Sequence, residues 1–214
     1  MLRMTFLCAL LSALLTTPAF AVSVKLEAIG NQTSVRSDAA NETFAAQTGL
    51  GGGAELSLPF GSNLSFDIGG LYFQRKYQTT VTAGTSNGEV QVGTQTALEI
   101  PILFRWWLGR VFSIGVGGYY MKYMGDVGLS TTFAGAASPV KSTLTYADAS
   151  QSTSDYGATV AVGLDIPLGL TMGLVIDGRY NYGLGNQITG GSSSVKFTDM
   201  QALVGLRFGM NMMK

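Results

Sequence analysis

Apolar side chains recur at every second position along most of this chain. Between residues 98 and 108 the even positions read Leu98, Ile100, Ile102, Phe104, Trp106 and Leu108, while Glu99, Pro101 and Arg105 stand on the odd ones. Alternate side chains of a β-strand point to opposite faces, so this spacing predicts a strand with one wholly apolar face and one mixed face. The same alternation predicts strands over residues 22–30, 49–60, 64–75, 94–108, 111–122, 156–166, 170–182 and 199–209. That makes eight, and in each the apolar face falls on even numbers. It runs, for example, Val22, Val24, Leu26; Phe112, Ile114, Val116; Leu170, Met172, Leu174; and Met200, Ala202, Val204, Leu206, Phe208.

Composition decides which face meets water. Only 12% of the residues are charged, against about 25% in a typical soluble domain. The odd face holds Gly53, Gly69, Gly115, Gly117, Gly163, Gly173 and Gly205 among scattered Ser, Thr and charges. Small residues suit the crowded interior of a narrow barrel better than the solvated wall of a lipocalin-like one. The apolar face is therefore placed in lipid. No stretch after residue 21 offers the run of about 20 apolar residues that a membrane helix needs. A closed barrel remains, because it satisfies every backbone polar group without help from water.

The connections point the same way. Those around Gly61, Gly109 and Gly169 are short, whereas residues 31–48, 76–93, 123–155 and 183–198 form long ones. Alternating short and long links are the mark of an outer-membrane barrel with tight periplasmic turns and four extended external loops. Aromatics near strand ends (Phe60, Tyr72, Trp106, Trp107, Tyr119, Tyr120, Tyr180, Tyr182) suit interfacial girdles. Ahead of the strands, residues 1–21 combine Arg3, an apolar core, Pro18 and Ala19-Phe20-Ala21, the pattern of a cleaved export signal. The barrel is assigned residues 22–214. Cys8 is the sole cysteine and lies within the signal, so the exported chain carries no thiol.

The segments LEIPILFRW (98–106), VGGYYMKYM (116–124), DGRYNYGLGN (177–186) and ALVGLRFGM (202–210) resemble the small outer-membrane β-barrel family of Gram-negative bacteria, including OmpA-like, OmpX-like and PorT-like barrel domains. The resemblance spans the chain beyond its signal. It implies an all-β, eight-stranded, antiparallel up-and-down transmembrane β-barrel in the bacterial outer membrane. It also implies that Val204, Leu206 and Phe208 form the closing-strand signal read by the barrel-assembly machinery. Six residues follow Phe208, where many relatives end on the aromatic itself.

Candidate chemistry lies inside. By parity the interior holds Lys25, Glu27, Glu55, Asp67, Arg75, Glu99, Arg105, Asp165, Asp177, Arg179 and Arg207. An eight-stranded lumen is only wide enough for side chains to fill it, and unpaired charges there are costly. The charges therefore read as a paired network plugging the lumen, or else as the lining of a small-solute conduit around Glu99, Arg105 and Arg179. The chain has no histidine, which removes His-assisted nucleophiles and His-based metal sites. No enzyme, cofactor or metal is expected, and a net charge of zero argues against nucleic acid. The expected role is structural or adhesive at the cell surface, as a monomer in outer-membrane lipid. Any surface partner would meet the loop 123–155, where residues 140–146 read as a hairpin extension.

Overall fold

The computed structural model describes residues 22–38, 42–82, 88–189 and 194–209. The expected export signal, with Cys8, lies outside the described residues. The strands are β1 (Ser23–Ser37), β2 (Glu42–Phe60), β3 (Leu64–Val81), β4 (Val90–Leu108), β5 (Phe112–Thr132), β6 (Val140–Leu144), β7 (Ser154–Pro167), β8 (Met172–Gly183) and β9 (Val195–Phe208). All but β6 form the wall. Each wall strand runs antiparallel to the next, β4 pairs β5, β5 pairs β7, and β9 returns to β1. The closing seam runs from Val24 opposite Phe208 to Ser37 opposite Val195. This is the eight-stranded antiparallel barrel that the alternation implies. The ninth strand, β6, is a short addition outside the ring, paired to β5 from Val127 opposite Leu144 to Thr131 opposite Val140.

Alternation sorts the wall as its chemistry demands. Leu26 and Phe104 are more than half exposed on the outer face, whereas Lys25, Leu103 and Arg105 are buried within. Phe60, Phe104 and Trp106 stand outside near the short-turn end, with the Phe104 ring edge-on to Phe60 and Phe66. Tyr72, Tyr120, Tyr156, Tyr180 and Tyr182 form a second exposed group nearer the other end. Two of the aromatics expected in these girdles turn inward instead. The Trp107 indole donates to Ser65 Oγ (3.0 Å) and the Tyr119 hydroxyl to Asp155 Oδ2 (3.1 Å). Both have odd numbers, and the wall's parity outranks an aromatic's preference for the interface.

The short turns lie where expected, with Gly61 and Gly109 in the left-handed region at φ 75° each. The turn between β7 and β8 lies later than the gap 167–169 left by the predicted strands: Pro167 ends β7, Met172 opens β8, and the Leu168 amide donates to the Met172 carbonyl (2.9 Å). Leu170 therefore sits in the turn, 91% exposed, rather than in the strand.

The largest departure is at the opposite end. Among the described residues, much of 31–48, 76–93 and 123–155 is paired strand rather than loop, while 183–198 adds strand only at Gly183 and from Val195 onward. β1 continues to Ser37, β3 to Val81, and β5 to Thr132, a length of 21 residues. About 9–11 residues cross the bilayer, so the upper part of these strands projects beyond the membrane. The polar sequence of the extensions hid them from a search for apolar alternation. Within this rim, β2 carries a bulge: its register on β3 shifts between Ala46 and Gly51. One extra residue reverses parity, so Glu42 and Phe44, on even positions, turn inward opposite Val81 and Thr79.

Glycines on the inner face keep the narrow ring closed. A Cβ at Gly205 would lie 2.0 Å from the Leu26 carbonyl oxygen and 2.8 Å from the Glu27 Cα, across the closing seam. Gly205→Ala is expected to cost about 1–3 kcal/mol through overpacking, whereas Ala202→Gly on the lipid face should cost less. Urea midpoints in lipid vesicles, with unheated gel mobility as the assay of closure, would check the order.

Candidate functional site

The wall delivers charged side chains from many strands into one lumen. Near the short-turn half, Arg105 on β4 reaches across to β8 and forms a two-point contact with Asp177, while its Nε donates to Asp67 Oδ2 (2.6 Å). Arg179 makes a second fork, Nη1 and Nη2 donating to Glu55 Oε1 and Oε2 at 2.6 and 2.9 Å. Its Nε also donates to Asp177 Oδ2 (2.8 Å). Lys25 donates to Asp67 Oδ2 (2.6 Å) and lies 3.8 Å from Glu55. These six groups form one continuous chain of alternating sign. Three of its six links, Arg105–Asp177, Arg179–Glu55 and Lys25–Asp67, join strands that are not neighbours in the wall, so these cross the lumen instead of running along it. Planar guanidinium forks suit this work because each can hold a carboxylate at two points.

A second cluster lies towards the far end, around Arg75. The guanidinium donates through Nε to Asp199 Oδ1 (3.2 Å) and through Nη1 to Asp155 Oδ2 (2.9 Å). It also donates to the Tyr123 hydroxyl and, through Nη2, to Asp199 Oδ2. Phe197 covers it, with Arg75 Cζ 4.8 Å from the ring centroid. Asp199 Oδ1 accepts further from Thr33 Oγ1 (2.6 Å) and Asn31 Nδ2 (3.3 Å). Arg75 thereby ties β3 to β5, β7 and β9. Between and around the two clusters packs an apolar group that includes Ile29, Leu71, Phe73, Ala97, Met121 and Leu203. Tyr146, descending from the segment after β6, stacks on Tyr123 (5.7 Å between centroids). Burial pushes its phenol up to about 12, so it stays a neutral hydroxyl.

The interior residues named from parity all have buried side chains within the barrel. The structure does not gather them as one site. Arg105 and Arg179 meet at Asp177, but Glu99, grouped with them from sequence, is held apart. Its carboxylate accepts from Asn181 Nδ2 (3.2 Å to each oxygen) and from Gln201 Nε2 (2.8 Å). Asp165 pairs with Arg207 (2.5 Å) in a separate bond near the closing strands. Glu27 faces the lumen with neither carboxylate oxygen hydrogen-bonded to protein, and one atom each of Asp165 (Oδ1) and Arg207 (Nη2) is likewise unpartnered.

Sequence reasoning missed Asp155 and Asp199, the two partners of Arg75. Both occupy odd positions: Asp155 lies one residue ahead of the predicted strand 156–166, and Asp199 opens the predicted strand 199–209 but was left out of its inward charges. The odd-numbered apolar residues Leu71, Leu103 and Leu203 were missed too, which makes the lumen oilier than its charges alone suggest. Val204, Leu206 and Phe208 lie on the exposed face of β9 beside the seam. Among the described residues, no group of three His, Cys, Asp or Glu side chains is arranged to hold a metal.

A closed ring of eight antiparallel strands, apolar outside and charged within, defines a bacterial outer-membrane barrel. Residues 18–189 match the family described as outer membrane protein beta-barrel domain, and the chain belongs to that family. No curated protein matches the sequence. Among solved structures, the outer membrane protein OprG from Pseudomonas aeruginosa is similar over 90% of this chain and 97% of its own, with a TM-score of 0.53 and 10% identity. Ail, the attachment invasion locus protein of Yersinia pestis, was solved with the heparin analogue sucrose octasulfate. It aligns over 88% of this chain and 99% of its own, at 11% identity and a TM-score of 0.44. The outer membrane protease OmpT from Escherichia coli aligns over 91% and 99%, at 11% identity and a TM-score of 0.46. At such identities OprG shows a shared fold and nothing finer.

Removing Arg75 would strand Asp155 and Asp199 in the interior. Arg75→Met is expected to destabilise the barrel by about 3–5 kcal/mol, the usual result of breaking a buried pair from one side. The triple variant Arg75→Met, Asp155→Asn, Asp199→Asn should recover much of that loss, because no lone charge is left. Equilibrium unfolding of both variants in vesicles would check this.

Proposed function

We propose that this barrel is a structural and surface-interaction element of the outer membrane, with a closed lumen and an ordered extracellular rim that does the contacting. The observation that carries the reading is the double bracing of the interior. The chain of charges around Arg105 and Arg179 and the cluster around Arg75 each tie opposite walls together, with apolar side chains packed among them. A solute passing through would have to break several buried, charge-assisted hydrogen bonds. Such a plug acts as a brace that fixes register and cross-section, leaving variation to the rim.

The rim supports the second half of the reading. β6 hydrogen-bonds only to β5 among the described strands, so its other edge ends the sheet. Unpaired strand edges accept an additional extended segment through main-chain hydrogen bonds. An adhesive or envelope-bracing partner would meet the barrel here, within residues 123–155. The proposal also includes assembly through Val204, Leu206 and Phe208, and a monomer in the membrane. It contains no enzymatic role: the chain lacks histidine, and the lumen carboxylates Glu55, Asp67, Asp177 and Asp199 are engaged by Lys or Arg.

The runner-up, a small-solute channel, draws its support from the unpartnered Glu27, Asp165 and Arg207 atoms, since such groups are normally met by water. The two readings separate in one experiment. Refolded protein in liposomes is expected to pass neither small sugars nor potassium ions above the level of empty liposomes. Arg105→Gln should lower stability without opening a conductance. Flux by the wild-type protein that changes with Arg105→Gln would make it a channel. In cells, replacing residues 133–152 by a short Gly-Ser linker should preserve the folded barrel and abolish any adhesion or detergent-resistance phenotype.

A further inference from the structure

A cavity of about 370 Å3 lies at the extracellular mouth, above the Arg75 cluster. Its floor is Tyr77 and Phe197, their rings 5.2 Å apart, with Phe197 itself resting on Arg75. Two amides flank the floor and are held in place from below. Gln151 Nε2 donates to the Tyr77 hydroxyl (2.6 Å) and its Oε1 accepts from Gln95 (2.7 Å), while Gln187 Oε1 accepts from the Tyr123 hydroxyl (2.9 Å). The walls are mainly apolar, with Val35, Phe44, Leu129, Leu144, Ile188 and Val195 interrupted by Thr79 and by Gln91, whose amide donates to Glu89 (2.8 Å). The volume is in the range of small-ligand sites, and so is the lining of apolar walls with a few fixed polar groups.

Charge narrows the ligand. Glu42, turned inward by the β2 bulge, is the one charged side chain among the described lining residues. No base shares that lining. Arg36, Lys76, Lys141 and Lys196 each stand an odd number of positions from a lining residue of the same strand (Val35, Tyr77, Leu144, Val195), so they face outward. Arg36 is committed there, over the Tyr182 ring at 3.9 Å and donating to Thr198 Oγ1 (2.9 Å). A carboxylate or phosphate would find no cation within this cavity.

We propose that the mouth cavity is a binding site for a small organic cation with an apolar, aromatic body, of the arylalkylamine class. The ring packs between Phe44, Leu129 and Phe197, and the ammonium points to Glu42 at the rim. The proposal rests on the closed lumen argued above, because a cavity with a floor retains a ligand that a pore would pass.

Three molecules of one shape and different charge test it: 4-phenylbutylamine, 4-phenylbutanol and 4-phenylbutyrate, titrated by calorimetry against the protein in lipid nanodiscs with empty nanodiscs subtracted. The amine is expected to bind best and the carboxylate worst. Glu42→Gln should lower amine affinity about two- to fivefold, the scale of a solvent-exposed ion pair, and leave the alcohol unchanged. Ala149→Trp, which fills the cavity from its side, should abolish binding of all three, with gel mobility confirming that both variants remain folded. Equal binding of amine and carboxylate, binding that survives Ala149→Trp, or no binding at all would overturn the proposal. A vesicle uptake assay keeps the two readings separate: entry of the amine into proteoliposomes would overturn the closed lumen, while absent binding without entry overturns the cavity site alone.

Discussion

Every other feature of this protein depends on the closure of β9 onto β1. Inside a bilayer an unpaired strand edge has no water to bond to, and each open backbone group costs several kcal/mol. The seam from Val24–Phe208 to Ser37–Val195 removes both edges at once. Closure then dictates the rest. With eight strands the ring is narrow, so one face must be small enough or well enough paired to fit inside, and the other must be content in lipid.

The interior answers that constraint by matching glycines to guanidinium groups. A Cβ at Gly163 would sit 2.9 Å from Arg105 Nη1 and 3.0 Å from Asp177 Oδ1, and one at Gly173 would sit 2.8 Å from Arg207 Nη2. Space taken from the wall's own side chains is space in which long, charged ones cross the lumen. The glycines that weaken an ordinary strand are here the condition for bracing the barrel. Burial of so much charge adds little net stability over a well-packed apolar filling. It does penalise every wrong register, because a one-residue slip would expose each Arg and Asp to lipid.

The wall was legible because lipid enforces period-two alternation without exception: the even-numbered face predicted eight strands, and eight strands form the ring. Legibility ended where lipid ended. Above the membrane, outward residues such as Lys76, Lys122 and Lys196 are polar, so β3, β5 and β9 lost their apolar signature although the strands continued. Asp155 and Asp199, the partners of Arg75, went unassigned because each stands at the very start of its predicted strand, Asp155 just outside 156–166 and Asp199 as the first residue of 199–209. The bulge in β2 was invisible for a different reason. An inserted residue leaves no compositional trace in AAQTGLGGG, yet it reverses which side chains face inward. Pairing inside the lumen was equally hidden, because parity gives a face and not a partner: Glu99 shares its face with Arg105 and Arg179 but bonds to Asn181 and Gln201.

The two ends of the barrel therefore obey different rules, and their junction at Arg75 gives the protein its division of labour. Below it, most interior charges are fixed by pairing within a lumen whose width closure has set, and a substitution at a cross-lumen pair is felt on opposite walls. Above it, strands pair without the constraint of lipid on one face, so a bulge can reverse parity and β6 can add to β5 without disturbing the ring. Arg75 belongs to both regimes. Its carboxylate partners tie β3 to β7 and β9, while Phe197, packed on its guanidinium, forms the floor of the mouth cavity with Tyr77. A braced floor lets the rim change its shape and chemistry while the transmembrane wall stays the same.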